Sequence, residues 1–256
     1  MASVIAHYDN HLGPIYGWML GNFDAATAAA RDELRDAGIG DGAGRVAIDL
    51  GSGPGAHAIA LAEAGYHVTA IDACAPLVHE LRQRASGLAI RCVLDDLMRV
   101  NMYCSTQVDV ITCMGDTLTH LPSVSAVERL FETIADSLTP GGVFVMTFRD
   151  YCGVRLSGID RFIPVRQDDH RILTCMLEYH DETMSVYDVV HERTASGWSM
   201  RVSHYPKLRL EPAWVLSACE RLGFRATIDV ARDGMVRITA SHHAGIRSTE
   251  EADAPV

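Results

Sequence analysis

A chain of 256 residues, 48% of them hydrophobic, can bury one sizeable core without disulfides or metals, so one main domain is expected. A formal net charge of -11, with 22 Lys and Arg residues scattered along the chain, argues against nucleic acid as a partner. Seven cysteines without a Cys-x-x-Cys pair, no apolar run of membrane-spanning length and no leader-like start predict reduced core thiols in a cytoplasmic protein with no membrane partner.

Residues 7–19 read His-Tyr-Asp-Asn-His-Leu-Gly-Pro-Ile-Tyr-Gly-Trp-Met, dense in aromatic and polar groups for a chain that is 7% aromatic, and are expected to form a lid. His7 and His11 stand at i, i+4. They have no third ligand nearby, and Gly13-Pro14 is expected to break the helix, so no metal is predicted. Residues 23–36 predict a helix with Asp24 as N-cap and Gly38 beyond its end, and a glycine-rich linker, 40–44, follows. Short apolar runs then alternate with helical patterns: strands at 45–50, 66–71, 90–94 and 108–114, helices at 56–64 and 76–85. Such alternation implies βαβ units and a parallel sheet. Capping-box spacing at Ser125 and Glu128 opens a helix to 138, and the turn 139–142 leads into a strand at 143–148. Beyond it, 171–179, 184–193 and 198–205 predict an inserted antiparallel meander. A helix at 212–222 and strands at 225–230 and 235–240 would close the main sheet antiparallel. The expected division is a lid at 1–43, a core at 44–150, the meander at 151–210, core elements at 211–241 and a disordered tail at 242–256.

The chemistry concentrates where the first strand feeds a glycine-rich turn, the place where open parallel sheets bind ligands. Gly51, Gly53 and Gly55 let the backbone bend and approach a ligand, and the next helix presents free N–H groups. Asp72, 21 residues after Gly51, is placed to accept both hydroxyls of a ribose. The glycines alone also fit a dinucleotide fingerprint, Gly51-x-Gly53-x-x-Ala56. Asp49 before the loop, Gly55 within it and the features downstream decide between the two.

The Asp49-Leu50-Gly51-Ser52-Gly53-Pro54-Gly55 segment resembles motif I of class I methyltransferases. The resemblance continues through Asp72 for the ribose, Asp95-Asp96-Leu97 for the adenine, with Asp96 the better placed, and Leu138-Thr139-Pro140-Gly141-Gly142 before the fifth strand. It implies S-adenosylmethionine as cofactor, held by Asp49, Gly51, Ser52, Gly53, Gly55, Asp72, Ala73, Asp95, Asp96, Leu97 and Met114. The implied fold is a Rossmann-like, doubly wound, mostly parallel α/β sheet of seven strands, with an N-terminal helical lid and the meander inserted.

Over about 44–151 the chain is most similar to the glycine and sarcosine N-methyltransferases, through Gly115-Asp116-Thr117-Leu118-Thr119-His120-Leu121-Pro122 and Arg149-Asp150-Tyr151. The resemblance implies that Arg149 grips a substrate carboxylate. Asp116 replaces that family's Asn, which favours an amine, guanidine or hydroxyl acceptor. His120 either orients the acceptor, takes a proton or caps the next turn. Asp116, His120, Tyr8 and Tyr16 are the candidate catalytic groups, and Trp18 and His11 are candidate substrate contacts beside Arg149. The family's N-terminal arginine for the cofactor carboxylate has no counterpart before Arg31. The expected activity is methyl transfer to nitrogen, oxygen or carbon of a small, carboxylate-bearing amino-acid-like or oxo-acid substrate, in a chain that can self-associate. The alternatives are cyclisation of the cofactor itself, with release of methylthioadenosine, and a non-catalytic cofactor sensor.

Overall fold

The structure, a computed structural model, describes residues 4–104, 107–153 and 155–242; the expected disordered tail lies, from residue 243 on, outside the described residues. The chain opens with α1 (Val4–His7), a π-helical turn at Tyr8–Leu12 and α2 (Gly13–Leu20). Gly13-Pro14 therefore continues the helix instead of breaking it. The Gly13 N–H bonds back to the Tyr8 carbonyl, and this wide turn relieves the clash a proline ring makes with the carbonyl four residues earlier. Only glycine fits at 13, because a Cβ there would lie 2.5 Å from that carbonyl oxygen. In α3 (Phe23–Asp36) the N-cap is Asn22, whose side chain accepts from the Ala25 N–H at 3.0 Å. Asp24, the expected cap, sits two residues on, within the first turn, where a carboxylate still faces the positive end of the helix.

The core follows as β1 (Val46–Leu50), α4 (Ala56–Glu63), β2 (His67–Asp72), α5 (Ala75–Arg84), β3 (Ile90–Leu94), β4 (Val108–Cys113), α6 (Val124–Ser137) and β5 (Leu138–Phe148). The cap of α6 is Ser123, not Ser125: its hydroxyl accepts from the Ala126 N–H. The expected turn at 139–142 lies within β5 as a register shift, with Val108 opposite Leu138 but Val110 opposite Val143. After this come β6 (Phe162–Gln167), β7 (Arg171–Tyr179), β8 (Thr183–Thr194), β9 (Gly197–Leu208), α7 (Pro212–Arg221), β10 (Phe224–Val230) and β11 (Val236–His242).

Seven strands form one sheet in the order β10-β11-β5-β4-β1-β2-β3, in which β11 alone runs against the others, so that both of its pairings are antiparallel. Helices α6 and α7 cover one face, where Phe131, Ile134, Phe144 and Val215 are fully buried. Burying each such side chain is worth about 1.5–3 kcal/mol. On the other face Ala30 and Leu34 of α3 and Leu61 of α4 pack over Ala47, Ala70 and Val145. Central β1 thus ends beside β2 and β4, and the loops after these strands meet at one edge. The meander is a separate antiparallel sheet, β6-β7-β8-β9, one strand larger than expected. Its buried face, including Leu173, Leu177, Val186 and Val190, packs against Leu12, Ile15 and Tyr8 of the N-terminal helices. Among the described residues no helix is long and apolar enough to cross a membrane, and all seven cysteines are free.

Candidate active site

The loop after β1 is shaped by its glycines. Gly51 has φ +66°, and a Cβ there would come within 2.3 Å of Thr117 Cγ2; at Gly55, φ +101°, it would strike Leu81 at 2.1 Å. No L side chain is accommodated at either point. Gly53 contributes its N–H, which donates to Asp72 Oδ2 at 2.8 Å, while the Cys74 N–H donates to Oδ1 at 2.8 Å. Two backbone donors thereby fix the Asp72 carboxylate at the end of β2, and burial raises its pKa.

These loops border a cavity of about 560 Å³, within the range of small-molecule sites. Asp49, Gly51, Ser52, Asp72, Ala73, Leu97 and Met114 line it, as does Asp96. Gly53 and Gly55 shape the loop without lining the cavity. Asp96 caps a short 3-10 turn by accepting from the Met98 N–H at 2.9 Å. Asp95 is turned away from the cavity: its carboxylate accepts from Tyr103 at 2.5 Å and Arg99 at 3.1 Å, which corrects its expected role in binding. Asp49 is 2% exposed and accepts from Thr112 at Oδ1, but its Oδ2 and the Ser52 hydroxyl have no partner. Burial pushes the Asp49 carboxyl up. Two orphaned polar atoms in a buried wall are what a ligand bearing an ammonium and further hydrogen-bonding groups would satisfy. With Asp72 placed for a ribose diol and Asp96, Leu97 and Met98 at the far wall, the residues present fit S-adenosylmethionine.

The other end of the cavity is formed by the segment after β4. Asp116 adopts φ +74°, left-handed for a residue with a Cβ, and is held there by four donors. Oδ1 accepts from the Arg149 N–H at 3.1 Å and Thr119 Oγ1 at 3.0 Å; Oδ2 accepts from Tyr151 at 2.6 Å and from Lys207 Nζ. Burial pushes this carboxyl up, but Lys207, His120 and the Tyr151 hydrogen bond outweigh it, and Asp116 lies below the ordinary carboxylate range. It does not line the cavity. The expectation that it acts as a base is corrected: an ionised, fully bonded carboxylate has no free lone pair aimed at a substrate.

His120 does line the cavity, with Gly115 and Thr117. Burial, and then Lys207, lower its pKa to about 3, so the imidazole is neutral across the physiological range. Its Nε2 is 3.5 Å from the Tyr8 hydroxyl, and its ring sits 5.4 Å from that of Tyr205. Tyr8 and Tyr16 also line the cavity. Burial holds the Tyr8 hydroxyl well above its usual pKa and that of Tyr16 at about 12, so both remain protonated donors, not the bases anticipated.

Three expected substrate contacts lie elsewhere. His11 is buried against the meander, donating from Nε2 to the Asp188 carbonyl at 2.9 Å and accepting at Nδ1 from Arg201 at 2.9 Å. Trp18 donates to Asp168 at 2.5 Å and stacks beneath the Arg166 and Arg171 guanidinium groups. Arg149 is exposed just past β5, outside the cavity wall, with no ion-pair partner among the described residues. The sequence reading missed the role of Lys207, one of several polar meander residues with no distinguishing signal. It also missed His57 and Glu33, which line the cavity with Nε2 and Oε2 2.9 Å apart. A lone histidine in the apolar first turns of α4 was the available signal.

Comparisons with known proteins agree with this geometry. A family model described as a methyltransferase domain matches residues 47–142. The chain is 30% identical over 121 residues to a glycine/sarcosine N-methyltransferase of Halorhodospira halochloris, covering 46% of this chain and 45% of that one. It is 37% identical over 110 residues to a ubiquinone biosynthesis O-methyltransferase of Pseudomonas aeruginosa (strain UCBPP-PA14), covering 41% and 45%. The matched stretches thus span less than half the length of these curated relatives. The solved structure of CalS10, an amino pentose methyltransferase from Micromonospora echinaspora, is similar with a TM-score of 0.74 at 16% identity, over 91% of this chain and 97% of that one. Residues 47–142 thus match a methyltransferase domain, and the fold built around them is similar to that of a solved S-adenosylmethionine-bound methyltransferase.

Proposed function

We propose that the protein transfers a methyl group from S-adenosylmethionine to a neutral amine or hydroxyl on a small, largely apolar acceptor. The observation that carries this reading is one cavity bounded by the glycine loop, Asp72 and Asp96 at one end and by His120, Tyr8 and Gly115 at the other. S-adenosylmethionine would supply an activated methyl group on its sulfonium. The chain's own part is alignment: a neutral His120 nitrogen accepts a hydrogen bond from the acceptor's N–H or O–H, and Tyr8 donates one. His120 is too weak a base to remove a proton before the reaction, so an amine acceptor must arrive neutral.

The acceptor class follows from the walls. Val4, Ile5 and Leu20 of the N-terminal helices line the cavity with Leu121 and Pro122, and among the described residues no Lys or Arg lines it. Among the described residues no cation lines the acceptor end beside His120 and Tyr8, so the acceptor proposed here is not the carboxylate-bearing one that the sequence suggested through Arg149. An aromatic amine or phenol meets these limits, and an amino sugar, the class in the name of CalS10, meets the requirement for a neutral amine or hydroxyl without a carboxylate.

Purified protein with S-adenosylmethionine should release S-adenosylhomocysteine, detected by mass spectrometry, when such acceptors are added. Glycine and sarcosine should give none. Acceptor-independent methylthioadenosine would overturn the transfer reading in favour of cyclisation, and cofactor binding without turnover across the panel would leave a sensor.

A further inference from the structure

A zwitterionic methionine end gains from a cation beside its carboxylate, yet among the described residues no Lys or Arg lines the cavity wall. Arg31, the first arginine of the chain, is bound on the surface to Glu63 at 2.7 Å. The ring of His57 stands behind the glycine loop in the first turn of α4, bridged to Glu33 of α3 at 2.9 Å, and both side chains line the cavity. The pair is largely buried, His57 at 20% and Glu33 at 14% side-chain exposure. His57 Nδ1 makes no hydrogen bond to any described residue, while Asp49, with its orphaned Oδ2, is the next carboxylate along the same wall. One ring nitrogen is anchored and the other is free beside the loop.

We propose that His57, charged and oriented by Glu33, is the cation that holds the α-carboxylate of S-adenosylmethionine, with Asp49 and Ser52 taking the ammonium. The assignment rests on the cofactor reading above. In it the imidazolium donates from Nε2 to Glu33 and from Nδ1 to the ligand, so that His57 replaces the arginine the sequence lacks. Although burial opposes the charge, Glu33 and Asp49 outweigh it and raise the His57 pKa above its usual value. The imidazolium is therefore available near neutral pH and is lost as pH rises.

The test compares two ligands that differ only at the amino-acid end. By calorimetry, His57→Ala should weaken S-adenosylhomocysteine binding by about tenfold or more, the loss expected for a charge-assisted hydrogen bond, and leave 5′-methylthioadenosine within about twofold of wild type. Wild-type affinity for S-adenosylhomocysteine should decline between pH 7 and pH 8.5 more steeply than that of the variant. Glu33→Gln, which keeps the bridge but removes its charge, should shift that decline to lower pH; it also serves if His57→Ala does not fold. Equal losses for both ligands would show that His57 merely braces α3 against α4 and would overturn the proposal, as would an unchanged S-adenosylhomocysteine affinity. Failure of the wild type to bind either ligand would instead overturn the cofactor reading itself.

Discussion

Single carboxylates in this protein do opposite work according to what surrounds them. Asp72 is raised by burial and presents itself to the cavity, fixed by the Gly53 and Cys74 N–H groups. Asp72→Ala removes both the proposed ribose acceptor and the anchor of the loop. It should lower S-adenosylhomocysteine affinity by about 10–100-fold, read by calorimetry. Asp116 is the reverse case, held ionised by Lys207 in a buried site. Since its folded pKa is depressed, the stability it contributes is present above about pH 4 and is lost as pH falls through the folded value. Lys207→Met leaves a buried charge alone, which costs about 3–5 kcal/mol at pH 7. Burial then dominates and raises the Asp116 pKa, so the sign reverses and the variant should recover stability from pH 7 to pH 5. Urea midpoints at the two pH values check this, and an equal deficit at both would contradict it. That Gly51, Asp72 and Asp96 would meet at one cavity was legible in sequence because a glycine loop and strand-end acids have fixed spacings. Asp116 was legible only as a residue: its partner Lys207 is 91 positions away, and no local pattern couples them.

At the scale of elements, the N-terminal helices are fastened to the meander by a chain of polar contacts. His7 bonds Asp188 at 3.0 Å and Ser203 at 2.8 Å, and His11 accepts from Arg201, which also pairs with Glu192. Burial and then Arg201 depress the His11 pKa. A histidine kept neutral in the docked state contributes docking stability above its free pKa of about 6.5, and that stability falls as pH drops below it. Hydrogen exchange of residues 4–20, corrected for intrinsic rates, should therefore quicken between pH 7 and pH 5.5 while α6 stays protected. Parallel acceleration in both would point to global unfolding instead. The elements themselves were readable wherever periodicity and glycine punctuation agreed, as in β3 and α3, whose bounds match expectation. Reading failed where geometry overrides local preference. The π-turn carries the helix through Pro14, and β6 hides behind Pro164 and a register shift against β7. Both caps were assigned two residues late, because Asn22 and Ser123 stand next to equally good candidates.

Across the whole molecule, the formal charge of -11 is carried into the cavity wall, which Asp49, Asp72 and Asp96 line and where the cation proposed, His57, is balanced by Glu33. Field lines from these groups are focused by the low-dielectric walls, so a ligand with one extra positive charge is favoured over its neutral-sulfur counterpart. S-adenosylmethionine carries the sulfonium charge and the methyl group that S-adenosylhomocysteine lacks. The salt dependence of their affinity ratio therefore reports the field, because packing of the methyl group is not screened. The screening length is about 10 Å at 0.1 M salt and about 3 Å at 1 M, short enough at the upper end to damp charges at the mouth but not those in the buried wall. The cofactor-to-product affinity ratio should accordingly exceed one at low salt and fall several-fold, without vanishing, as salt is raised to about 1 M. Asp96→Asn, a change at the more open end of the cavity, should reduce the salt-sensitive part of the ratio. A ratio indifferent to both salt and this substitution would mean that discrimination arises from packing around the sulfur, with Tyr8, Tyr16 and Met114 the groups to vary next.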